Sequence, residues 1–172
     1  MKKILTISIF TYFSTITAIA QNIISSLPDS FKFNESDELV ISEVVYVDGK
    51  KSGELFKDAL LWVNKTFTDP KTVIQTKDPD LGLITLKTIA SESNADITWY
   101  EVNISIQVKD ERYKYDMTEI VEALDLRYMG SGIMRSRVGK EKIYIDGQTV
   151  INIFIPIVNS LKIQMVKKEE DW

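Results

Sequence analysis

The chain contains no histidine and no cysteine. That removes the imidazole base, the thiolate nucleophile, the serine–histidine pair and a zinc site of ordinary ligands. Catalysis would have to rest on carboxylates, lysine or tyrosine, and no catalytic, cofactor-binding or metal-binding residue is assigned. Asp78-x-Asp80-x-Gly82 has the opening rhythm of a calcium loop. Gly82, however, stands where a fifth-position oxygen ligand belongs, and Ile89 where a closing Glu belongs; the stretch reads as a turn. Glu101 and Glu111 resemble an acid pair for glycoside cleavage, but they flank a turn on a face expected to be wet. Asn34, Asn64 and Asn103 each begin an N-x-Ser/Thr triplet, and two of the three fall inside expected regular elements; they are read as chance.

The best candidate for a binding surface is a basic group in a glycine-bearing stretch: Arg127, Arg135, Arg137, Lys140 and Lys142, interspersed with Gly130, Gly132 and Gly139. Five cations there suit an anionic polysaccharide, a lipid head group or an acidic protein face. The plainer reading is a solvated loop. Trp99, Tyr100, Tyr113 and Tyr115 offer a stacking platform, although tyrosines in strands are common for packing reasons alone.

The elements that must position these groups follow from periodicity. Thr98 to Val108 alternates apolar and polar residues, the pattern of a long strand wet on one face. Lys109-Asp110-Glu111-Arg112 reads as a solvated hairpin tip that sets register, and Tyr113, Tyr115 and Met117 resume the alternation. Glu38–Val47 is a first strand. Leu55, Phe56, Ala59, Leu60, Trp62, Val63 and Phe67 form the apolar stripe of a helix capped by Ser52, which stops before Pro70. Thr72–Thr76 and Leu83–Ile89 are strands joined by the Asp78–Gly82 turn. Thr118 caps a short helix over Glu119–Leu124, and residues 125–142 are the least structured. Ile143-Tyr144-Ile145 is a brief strand or an extended lead-in. Residues 148–170 are best read as a long helix kinked at Pro156, the alternative being a strand before that proline and a helix after it.

Lys2 and Lys3, the apolar run Ile4–Ile16 and Ala18-Ile19-Ala20 have the three parts of a secretory signal peptide, with cleavage expected between Ala20 and Gln21. Residues 21–37 read as an extended, loosely docked leader, and 38–170 as one domain. No second apolar run is read as a membrane span, and without cysteine there is no lipid anchor. The formal charge of −4 becomes −6 once Lys2 and Lys3 are removed, which argues against nucleic-acid binding.

The stretches VVYVDGKKSGELFKDALLWVNKTF and YEVNISIQVKDERYKYDM carry a resemblance. Glu54-Leu55-Phe56 with Trp62, and Val108-Lys109-Asp110-x-Arg112-Tyr113-x-Tyr115, resemble a family of secreted bacterial domains of unknown function with a TBP-like fold, found mainly in Bacteroidetes. The resemblance covers roughly residues 40–118. It implies a curved antiparallel sheet with helices on one face and no particular activity, since fold alone does not import DNA binding.

The expectation is an exported, periplasmic or extracellular α+β domain. It has a curved antiparallel sheet of about five strands and two main helices on one face, in the order β-α-β-β-β-β-α. Its expected role is a non-enzymatic binding or accessory module whose partner is a protein or glycan of the envelope, with no cofactor. The contact surface is the groove between sheet and helices, or the basic stretch. Two alternatives are a carboxylate-only hydrolase or isomerase acting on an envelope component, and a structural envelope protein that pairs through a strand edge.

Overall fold

The structure is a computed structural model and describes residues 27–92 and 97–167. The expected signal peptide, its expected cleavage point and the first residues of the expected leader lie outside the described residues. Seven strands form one antiparallel sheet: β1 (Phe31–Phe33), β2 (Leu39–Tyr46), β3 (Ile74–Asp78), β4 (Leu83–Ala90), β5 (Thr98–Lys109), β6 (Arg112–Asp125) and β7 (Ile133–Arg137). The order across the sheet is β1-β2-β6-β5-β4-β3, with β7 pairing the far half of β6. Helices α1 (Ser52–Thr66) and α3 (Lys140–Val166) are the two main helices, and α2 (Pro70–Val73) is a single turn.

The expected α+β class is present, with two more strands than the sequence suggested. Part of the leader is one of them: Phe31 is buried and pairs with Ile41. The alternation of β5 puts Tyr100, Val102, Ile104, Ile106 and Val108 into the core, and Tyr113, Tyr115 and Met117 of β6 continue the same layer. Both main helices cover that face. Leu55, Ala59, Trp62 and Val63 of α1 and Val150, Phe154, Leu161 and Met165 of α3 are buried together in one cluster. The helices are cross-tied where the Trp62 indole N–H donates to Ser160 Oγ at 2.9 Å.

The hairpin tip does more than set register. Glu111 takes φ +62°, its N–H donates to Lys50 O, and its carbonyl accepts from Val47 N–H, each at 2.8 Å. Asp110 Oδ1 accepts from the Ser52 N–H at 2.9 Å, satisfying an otherwise orphan donor of the first turn of α1. The helix therefore begins one residue away from the expected cap: Lys51 is the flanking residue, and its N–H donates to Glu54 Oε2 at 2.7 Å. Lys50 reaches the other end of the fold. Its ammonium contacts Asp58 at 2.5 Å and donates to Met165 O at 2.9 Å, where a cation suits the carbonyl end of α3.

Three local readings are corrected. The expected helix at Glu119–Leu124 is strand, because β6 runs unbroken to Asp125. Glu101 pairs with Val121 and Asn103 with Thr118, so Glu119 and Ile120 stand together opposite Val102. This is a bulge with Glu119 at φ +52°. It shifts the side-chain parity by one, which leaves Ile120, Val121 and Leu124 at helix-like spacing. The stretch 125–142 is not a loop: a 3₁₀ turn (Arg127–Met129) leads into β7. Ile143-Tyr144-Ile145 is helical, since α3 starts at Lys140, eight residues before the expected start. Its break falls at Asp146 (φ −144°, ψ 34°) and not at Pro156, which sits inside the helix.

α3 is 27 residues long with an 18-residue window of mean hydropathy 1.5, long and apolar enough to cross a membrane by length and composition, contrary to the sequence reading. Here its stripe is used against the sheet, as in a core helix.

Candidate functional site

The bulge at Glu119 divides the sheet into two halves with different surroundings. Before it, β6 pairs β2, and the helices close over the core. Beyond it β6 pairs β7, with Val121 opposite Arg137 and Asp125 opposite Ile133. There the first turns of α3 leave a groove of about 440 Å³ between helix and sheet. Its floor is polar: Tyr100 from β5, Glu122 from β6, and Lys142 and Asp146 from α3. Its apolar lining comes from Ile97, Leu124, Met134 and Ile153, with Glu92, Thr98, Ser136 and Thr149 between them. Pockets with apolar walls and a few convergent polar groups are the usual form of a ligand site.

Each floor residue has a local cause. Tyr100 and Glu122 are cross-strand partners; the alternation of β5 turns Tyr100 toward the helices, the bulge in β6 sets Glu122 opposite it, and the phenol donates to Glu122 Oε1 at 3.3 Å. Burial, followed by the neighbouring Glu122 and Asp146 charges, pushes the Tyr100 phenol well above its ordinary value. Asp146 sits at the break in α3, and its carboxylate stands 3.4 Å from the Lys142 ammonium, which meets Glu122 at 2.7 Å. Burial opposes the Lys142 charge, but the hydrogen bonds and charges of Glu122 and Asp146 outweigh it, so the ammonium is raised above its ordinary value.

Of the five basic residues expected to form one surface, only Lys142 faces this groove, and all five are matched by acids. Arg127 chelates Asp125, with Nη2 to Oδ2 at 2.5 Å, and that hydrogen bond holds the Asp125 carboxyl down to about 2. Arg135 meets Glu101 at 2.8 Å and Arg137 lies 3.6 Å from Glu38. Lys140 bonds Asp37 and lies 5.5 Å from the centre of the Phe33 ring. The aromatic platform is likewise dispersed: Tyr100, Tyr113 and Tyr115 are core residues. Burial is the first cause of the raised phenols of Tyr113 and Tyr115. Asp78, at the calcium-like stretch, uses its carboxylate to accept from the Asp80 and Leu81 N–H groups at 3.0 and 2.9 Å, which makes it a turn former.

Sequence reasoning missed Glu122 and Asp146. Glu122 was hidden by the bulge, since unbroken register from the tip pairs Tyr100 with Val121. Asp146 was read as the end of a lead-in segment. Neither carries a local signal.

These features define the class: an α+β domain with one open and one helix-covered sheet face. Residues 42–122 match the family model described as "Domain of unknown function (DUF4468) with TBP-like fold". A crystal structure of a DUF4468 family protein from Bacteroides ovatus aligns with a TM-score of 0.60 at 9% identity, covering 85% of this chain and 96% of that one. A TBP-like protein from Parabacteroides distasonis aligns with a TM-score of 0.52 at 13% identity, covering 75% and 96%. At such identities the likeness concerns fold alone. No curated protein matches the chain.

Proposed function

We propose that this chain is a non-enzymatic binding or accessory module of the cell envelope, exported by its N-terminal segment, with the groove beneath α3 as its ligand seat. The observation that carries the reading is the groove floor. Glu122 and Asp146 share the one Lys142 ammonium, so neither stands as the free acid or base that proton transfer needs. Two carboxylates held around one ammonium, beside apolar side chains, leave a net negative polar floor that suits recognition. A ligand would lay an apolar part on Ile97, Leu124 and Met134 and present hydroxyl or amino groups to the carboxylates below.

The test is a ¹⁵N–¹H titration of the protein with soluble envelope fragments, run alongside product analysis. Shifts concentrated at Tyr100, Leu124, Ser136 and Lys142, with the fragments recovered intact, are expected. Turnover that disappears in Glu122→Gln would replace this reading with a carboxylate hydrolase, and an unperturbed groove would remove the ligand seat.

A further inference from the structure

The sheet face opposite the helices carries a second, separate surface at the hairpin tip. Strand parity places Val44 and Tyr46 of β2, Gln107 and Lys109 of β5, and Arg112 and Lys114 of β6 on that face. Register makes them neighbours, with Tyr46 opposite Arg112, Arg112 opposite Lys109, and Lys114 opposite both Val44 and Gln107. They line a shallow hollow of about 300 Å³ that shares no residue with the groove. Lys109 and Arg112 make no side-chain hydrogen bond or ion pair among the described residues, whereas Lys114 is held by Asp116 at 2.8 Å. Other described lysines, such as Lys57, Lys77 and Lys87, also lack an ion pair; in a chain of net charge −4 the tip differs in setting two unmatched cations opposite each other across adjacent strands. Beside them stand two exposed apolar side chains, Tyr46 at 69% and Val44 at 46% exposure.

We propose that this patch binds an acidic, carboxylate-bearing oligosaccharide lying across β2, β6 and β5. Charge complementarity selects an anion. The donor balance selects a sugar over a peptide. The ammonium and guanidinium groups only donate, and the strand amides facing one another across β2, β6 and β5 are engaged in the ladder. A peptide laid on this face would find no free strand edge to extend and so would gain no ladder hydrogen bonds of its own. A polyuronate presents carboxylate and hydroxyl oxygens to the cations and to the Gln107 amide, while the exposed Tyr46 ring offers a stacking face for a pyranose.

The test is calorimetric titration of the whole chain with oligogalacturonate, next to a neutral oligosaccharide of equal length, polyglutamate and a single-stranded DNA oligomer. Expected are binding of the uronate that weakens with salt, and a loss on the order of tenfold in K109E/R112E, as for charge contacts at an interface. A smaller loss is expected in Tyr46→Ser, and none in Lys142→Gln, which touches only the groove. Circular dichroism confirms that each variant folds. No uronate binding, binding unchanged in K109E/R112E, or equal affinity for polyglutamate or DNA would each overturn the proposal.

Discussion

The regions around the two halves of β6, on either side of Glu119, both contain basic residues and use them differently. In the far half, every cation of the stretch from Arg127 to Lys142 meets a carboxylate from another strand, the neighbouring turn or α3. In the tip half, Lys109 and Arg112 have no such partner among the described residues, and the core beneath them is closed. The difference follows from register. The bulge aims the far half toward Glu101, Glu38 and the α3 break, while the tip half runs flat beside Tyr46 and Val44. A basic run in sequence is therefore a poor guide to free positive charge, because what neutralises it lies in strands far away along the chain.

The sharpest way to break the contrast is to open the tip half from beneath. Gly82 holds φ +60°, and a Cβ there would lie 2.7 Å from Val108 O. Gly82→Ala is therefore expected to cost about 2–4 kcal/mol by chemical denaturation, combining left-handed strain with overpacking. An unchanged midpoint would mean that β4 and the tip are not packed as described. In the far half, Glu122→Gln removes the shorter of the two carboxylate contacts to Lys142 and should cost about 1–2 kcal/mol, while leaving uronate binding intact.

A smaller effect belongs to β2. Burial disfavours the Glu43 carboxylate, but Lys162 at 2.6 Å and the Tyr115 hydroxyl at 2.8 Å outweigh it and hold its carboxyl below the ordinary 4.5. Because the folded value is the depressed one, Glu43 contributes stability above the unfolded-state value, and this is lost as pH falls through the folded value. Glu43→Gln should flatten the acid limb of a stability–pH curve below about pH 4.5 and leave its neutral region less stable. The least effect is expected from Arg135→Ala, whose exposed ion pair with Glu101 should shift stability by no more than about 0.5 kcal/mol.

How legible each half was in the sequence follows the same line. The tip half was readable because eleven residues of unbroken alternation and a polar four-residue turn leave one register for β5 and β6. The stripe of α1 was equally plain. The far half was not, because one extra residue at Glu119 turned alternation into helical spacing. β7 (Ile133–Arg137) is short, glycine-flanked and exposed, so nothing in its own composition marks it as a strand. Lys140–Ile145 lacked a stripe because only Ile143 of its first turns is fully buried, with Ile145 facing solvent at 83% exposure. Of the basic residues singled out, Lys142 lines the groove, and its partners became visible only once α3 was placed over β6.

The most direct test of the contrast is detection of the lysine side-chain ammonium groups by ¹⁵N–¹H NMR near neutral pH. Lys142, held by Glu122 and Asp146, should give a slowly exchanging, dispersed signal that is lost in Glu122→Gln, while Lys109 should exchange fast at the averaged position of free lysines. A protected Lys109, or a Lys142 indistinguishable from free lysine, would contradict the division between matched and unmatched cations.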